Sequence, residues 1–217
     1  MLILVVALGL IYGQLFNMDI NQYIPFLATG LVIWNFGAFL INEGCQTFIA
    51  SSSYMKQLAM PKSVFAFQVV ARNFLVFAHN AVIVVVMLIY FNVRPHHSAL
   101  YTVPLGLILI MMSGLSAAIV LGGLSARYRD ISQIVASVMQ VLFFVTPVMF
   151  RGDMLKNHEW LMTYNPFFYY LEFIRRPLLG EPAPAGSLVI VSLMAIASVT
   201  IALVFLARFQ KRITYWV

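Results

Sequence analysis

The 217 residues are 62% hydrophobic and only 9% charged, with a mean hydropathy of +0.93. A soluble domain carries about 45–50% apolar and about 25% charged residues, so this chain could not cover a water-facing surface, and intrinsic disorder, which needs low hydrophobicity and high charge, is excluded as well. One cysteine makes no internal disulfide, and thirteen basic residues scattered in ones and twos, for a formal charge of +6, form no stripe that could track nucleic-acid phosphates. An integral membrane protein remains, in which basic residues record orientation.

A helix rises 1.5 Å per residue, so roughly 20 charge-free apolar residues are needed to cross a hydrocarbon layer about 30 Å thick. Six charge-free stretches qualify in chain order: Met1 to Met18, Ile20 to Asn42, Asn73 to Val93, Pro95 to Ala126, Ile131 to Phe150 and Pro182 to Ala207. Runs such as AVIVVVMLIYF and LGLILIMM lack the period-two alternation of a barrel strand. The expectation is an all-α, polytopic membrane protein, with residues 1–217 forming a single transmembrane domain of six transmembrane helices at about 1–16, 23–42, 64–92, 100–124, 132–150 and 187–207. The chain opens directly into LILVVALGLIYG without a basic flank or a signal-peptide cleavage pattern, so the first span is expected to be cut short. A truncated gene model, an internal start and a natural short form would all read this way.

Six spans put both termini on one side. If the connection Glu43 to Arg72, the turn around Arg127 and the tail after Ala207 share that side, it holds eight basic residues against five on the other. The positive-inside rule then makes the termini cytoplasmic.

Three connections are more than simple turns. The stretch GCQTFIASSSYMKQLAMPKS after Glu43 is too polar for lipid and ends near Pro61, which can open the next helix. It is expected to include a short helix along the membrane surface. The second, SARYRDIS from Ser125 to Ser132, brings one helix to the surface before the next begins, and on its own could simply anchor helix ends among lipid headgroups. The third runs outside, from Thr146-Pro147 to about Ser187. Proline removes a backbone hydrogen bond, and backbone freed at membrane depth must be received by protein or by a water-filled cavity. A helix that stops short near Pro147, a polar exit and a second short helix dipping back are therefore expected, with a further break at Asn165-Pro166.

Catalytic signatures are missing from the sequence. There is no GxxxxGK[ST] phosphate loop, no HExxH and no paired CxxC, and Cys45 stands alone. Neither a catalytic site nor a metal site is predicted. His79 falls within the third span, where an ionisable residue is either functional or, with Asn80 beside it, a helix-to-helix hydrogen bond. The acids near span ends are Glu43, Asp130 and Glu172, too few for ion-coupled transport. A membrane-embedded enzyme acting on lipid-linked sugars would need clustered carboxylates, and Asp153, Glu159 and Glu172 are dispersed. Aromatic residues make up 14%, and most serve packing or interfacial belts. Trp34, Phe36 and Phe39 lie deeper, where ring faces could also line a path for a sugar chain.

The order of several segments carries a resemblance: YIPFLATGLVIW, MKQLAMPKSVF before the third span, LSARYRDI before the fifth, then FFVTPVMF and YNPFFYYLEFIRRPLLG. From Tyr12 onward the chain resembles the permease subunit of ABC-2 type exporters, in the polysaccharide and polyol phosphate branch that moves O-antigen, capsule and teichoic acid. Its tail KRITYWV is similar to that of O-antigen permeases. The resemblance implies a bacterial inner-membrane homodimer bound to a separate P-loop ATPase, which would hold ATP and Mg, leaving no cofactor in this chain. It implies a lipid-linked polysaccharide as cargo, with a drug or small lipid as the alternative. Under it Tyr54, Met55, Lys56, Gln57, Leu58 and Pro61 match a cytosolic coupling helix, and Arg127, Tyr128, Arg129 and Asp130 a second contact with the ATPase. Pro147, Asn165 and Pro166 match the breaks of outer re-entrant helices, and Tyr12, Phe16, Trp34, Phe36, Phe39, Phe143 and Phe144 become channel-lining candidates. The family usually has a cytosolic amphipathic helix and a complete first span where this chain is short.

Overall fold

The computed structural model describes residues 1–15, 19–57, 60–150 and 164–216, and among these every regular element is helical. In chain order they are α1 (Leu2–Leu15), α2 (Ile20–Cys45), α3 (Thr47–Ala50), α4 (Ser52–Gln57), α5 (Lys62–Tyr90), α6 (Ala99–Arg127), α7 (Ile131–Val145), α8 (Pro166–Leu178) and α9 (Ser187–Trp216). Four of them, α2, α5, α6 and α9, are long and apolar enough to cross a membrane, and α1 and α7 are shorter apolar helices. The chain is thus a membrane protein built on apolar helices.

The spans expected from charge gaps differ from these helices at their ends, because a helix can continue past the apolar layer once water or protein receives its polar side chains. Helix α2 begins three residues before the expected position 23 and runs to Cys45, and α9 continues through the charged KRITYW to Trp216. Helix α7 ends at Val145 instead of continuing to 150, since Pro147 cannot donate to an earlier turn. Counting by charge gaps sets Arg72 at the end of a connection, although the helix expected at 64–92 contains it; it lies ten residues inside α5, paired with Glu43 of α2 at 2.6 Å, so this charge has its counter-ion on the neighbouring helix.

The chain divides into two compact units, each assembled from pieces of the same long helices. The first comprises Met1–Asn35, Leu75–Leu107 and Phe143–Val191. In it α1 buries Val5, Gly9 and Gly13, a stripe of small residues at four-residue spacing. A Cβ on Gly9 would sit 2.7 Å from Ile24 Cγ1, so the missing side chain is what lets α1 approach α2. Val32 of α2 packs with Val84 and Leu88 of α5, and Leu178 and Leu179 close over this cluster. Gly180, with φ +91°, makes the left-handed turn that ends α8, against the Arg94 carbonyl.

The second unit comprises Phe36–Phe74, Ile108–Leu142 and Ser192–Val217. Here α6 presents Gly114, Ala118 and Gly122 at the same four-residue spacing. Leu40 lies against Gly114, and Gly44 packs on Ala118, where an added Cβ would stand 3.0 Å from Ala118 Cα. Ala66, Ala118, Ile119 and Ala202 then form a core in which small side chains permit close helix contact.

Candidate functional site

In the second unit the two segments expected to couple to an ATPase converge on one core. Phe48 of α3 and Met55 of α4 are buried with Phe65 of α5, Ala126 of α6 and Ile213 of α9, with Phe205 and Trp216 packed against them. Four-residue α3 and six-residue α4 are too short to be stable alone, so this burial fixes them. With Met55 pointing inward, Tyr54, Lys56 and Gln57 point outward, and Pro61 is exposed. Leu58 lies outside the described residues.

Ala126 in the same core places the end of α6 beside α4. Arg127, Tyr128, Arg129 and Asp130 are all exposed there. The Arg127 guanidinium carbon lies 5.0 Å from the centroid of the Tyr128 ring and 5.4 Å from that of Trp216. Those distances suit cation–π attraction, and a cation in the last turn of α6 also complements that helix's negative end. Asp130 directly precedes α7, where negative charge is favoured, and its carbonyl accepts from the Ile134 amide at 3.0 Å. The result is an exposed, aromatic-rich polar patch on a buried apolar footing.

In the first unit the chain after α7 is held by side chains that receive its freed carbonyls. Arg175 Nη1 donates to the Pro147 carbonyl at 2.8 Å, and Tyr23 Oη donates to the Met149 carbonyl at 2.7 Å. Asn165 caps α8 by accepting from the Phe167 amide at 3.0 Å, and its amide donates to Thr146 Oγ1 at 2.7 Å. Pro166 at the first helical position lacks only a donor that would be orphaned there. Asn165-Pro166 is thus a helix start tied back to the break at Thr146-Pro147.

Arg175 is the hub of this region and is 2% exposed. It forms an ion pair with Glu172 and stands 4.0 Å from the Phe26 ring centroid, while Arg176 Nε pairs with the other Glu172 oxygen at 2.6 Å. Burial pushes the Glu172 carboxyl up, but the two guanidinium groups outweigh it and hold the group below the usual carboxylate range. Gly30 leaves room for the assembly, since a Cβ there would be 2.8 Å from the Val148 carbonyl oxygen. The sequence reading missed Arg175, Tyr23 and Gly30. The available signal was a pair of arginines in an aromatic-rich segment bounded by two breaks.

The aromatic candidates divide by environment. Trp34 is buried, with ring centroids 5.7 Å from Phe143 and 5.3 Å from Phe167, and Phe36 is buried in the second unit. Both are packing residues within the chain. Phe39 and Phe144 are exposed, at 43% and 68%, and Tyr12 is half-buried. Phe16 falls outside the described residues, as does the polar exit at 151–163. His79 is exposed on α5 and makes no hydrogen bond among the described residues.

Residues 1–179 match the family model described as ABC-2 type transporter. An O-antigen export system permease protein RfbA of Klebsiella pneumoniae is 27% identical over 157 residues, covering 72% of this chain and 61% of that protein. A protein of the same name from Myxococcus xanthus is 22% identical over 213 residues, covering 94% of this chain and 80% of its own length. The match with the Klebsiella protein therefore spans under two thirds of that relative.

Proposed function

This chain belongs to the ABC-2 type transporter family, and we propose that it is the permease subunit of an ATP-driven exporter that moves a lipid-linked polysaccharide, O-antigen, across a bacterial inner membrane. The observation that carries the mechanism is the shared core of Met55 and Ala126, with Tyr54, Lys56 and Arg127 to Asp130 exposed above it. Two segments about 71 residues apart in sequence form one footing, so a push on either moves both. A separate ATPase docking on this patch would transmit its ATP-driven closure into α5, α6 and α9, which supply Phe65, Ala126 and Ile213. ATP and Mg would be held by that partner.

In this reading α1 and α7 complete six crossings, both termini are cytoplasmic, and two copies of the chain enclose the path. Thr146 to Phe150 and α8 belong to the outer re-entrant segment, tied to each other by Arg175 and Asn165. Phe39 and Phe144, exposed on the single chain, are the lining candidates best disposed to meet a passing glycan. Both relatives are named O-antigen export permeases, which supports O-antigen as cargo.

Deleting the gene tests the cargo: loss of surface polysaccharide with intact lipid-linked precursor is expected, and unchanged polysaccharide would leave a drug or small lipid as the cargo. Reversing the charges at Arg127, Arg129 and Asp130 tests the docking patch. Co-purification of the ATPase should be lost, and full retention would remove the patch from the mechanism.

A further inference from the structure

The end of α9 carries an aromatic ladder that the docking patch alone does not explain. Past Ala207 the helix continues through the exposed charges Arg208, Lys211 and Arg212, where a chain end would fray unless something tied it down. Ala202, Phe205, Phe209, Ile213 and Trp216 recur at three- and four-residue steps and so share one face. That face turns toward α6. Phe205 lies against Gly123, where an added Cβ would stand 2.5 Å from its ring, and Ile213 is buried in the core that holds Ala126. Ring centroids are 5.1 Å apart between Phe205 and Phe209 and 5.8 Å apart between Phe209 and Trp216.

The ladder ends at Arg127. That guanidinium lies within cation–π range of two rings, Tyr128 beside it in the chain and Trp216 at the end of α9. It forms no ion pair among the described residues, although Asp130 is three positions on. An aromatic face attracts the cation without using up its fork of N–H donors. Arg127 is thus exposed, charged and without a counter-ion among the described residues, yet held by rings from two segments.

We propose that Trp216 is a positioning residue for ATPase docking: with Tyr128 it holds the Arg127 guanidinium at the surface, ready to receive a carboxylate of the ATPase. The partner's chemistry follows from charge. Arg127 has donors and no acceptor, Lys56 and Arg129 are exposed in the same patch, and a carboxylate matches the guanidinium fork with two parallel hydrogen bonds. An arginine left free would have to be ordered on binding, which costs side-chain entropy. Two rings that hold it beforehand remove part of that cost. Trp216 also packs against the core of Met55, Ala126 and Ile213, so the terminal turn of α9 ties the charge that meets the ATPase to the footing beneath it. The inference rests on the docking reading above and adds a third stretch of the chain to that surface.

In the test, the ATPase that co-purifies with the permease is titrated onto the purified full chain in lipid nanodiscs. Trp216→Leu keeps an apolar side chain on the core and removes the ring face. It should weaken association about two- to fivefold, the size of one exposed cation–π contact, and Trp216→Phe should restore it. In an Arg127→Gln background Trp216→Leu should change nothing further, and Arg127→Gln should itself lessen the fall of affinity with salt. Parent-like association of Trp216→Leu, or an equal loss in the Arg127→Gln background, overturns the positioning role. A salt dependence indifferent to Arg127→Gln removes the carboxylate, and the proposal with it. If Arg127→Gln binds like the parent, the docking patch itself fails; if it weakens association while Trp216→Leu does not, only this inference fails.

Discussion

Replacing Arg175 by Met removes the hub of the contacts that hold the chain after α7 while keeping most of its volume. The Pro147 carbonyl loses its donor, which costs about 1–3 kcal/mol when the group stays buried. Breaking a buried ion pair from one side typically costs about 3–5 kcal/mol because the other charge is left behind. These two costs overlap, and Arg176, whose side chain is 43% exposed, still reaches Glu172. Met also recovers part of the contact with Phe26 through its sulfur. The net loss should be about 3–4 kcal/mol. At about 2–4 °C per kcal/mol for a chain of this length, Tm in detergent should fall by about 6–16 °C, read by size-exclusion chromatography after heating. Adding Glu172→Gln should restore about half of the fall, since the uncompensated carboxylate is then gone. A fall below about 2 °C, or losses that simply add in the double variant, would refute the role assigned to Arg175.

Glu172 gives a signed pH dependence. Its folded pKa is depressed, so its contribution is complete above the unfolded value of about 4.3 and is lost as pH falls through the folded one. The Tm difference between parent and Glu172→Gln should hold steady from pH 7 to 5 and shrink only below about pH 4. Gly30→Ala should lower Tm by an overpacking cost of about 1–3 kcal/mol, because its Cβ would meet the Val148 carbonyl at 2.8 Å and Arg175 Nη1 at 3.2 Å. Met55→Ala should cost about 2–5 kcal/mol locally, enough to melt α4, and should weaken ATPase co-purification more than Tyr54→Ala, which leaves the core intact.

Helical class and the approximate places of the long helices were legible because transfer into lipid leaves a coarse signature, long gaps between charges. The break before Pro147 was legible because proline acts locally. The gap rule taken alone starts the third charge-free stretch after Arg72, for the same reason it succeeds elsewhere. The rule treats each charge as solitary, and the partner at Glu43 is 29 residues away on another helix. Trp34 illustrates a second limit. Its depth in α2 could be read from the sequence, but the rings of Phe143 and Phe167 that enclose it come from distant segments. Residues joined by tertiary contact, such as Gly30, Tyr23 and Arg175, leave no spacing to count.

The lock around Arg175 also bears on how relatives can be recombined. Its parts come from three stretches: Tyr23, Phe26 and Gly30 in α2, Thr146 to Met149 after α7, and Asn165 to Arg176 around α8. A chimaera that grafts Asn165 and α8 from another family member while keeping the resident α2 and the chain after α7 leaves the Arg175 and Asn165 contacts with one resident partner each. Such domain shuffling should yield stable proteins only when all three stretches travel together, so that the smallest exchangeable module around Arg175 is discontinuous in sequence.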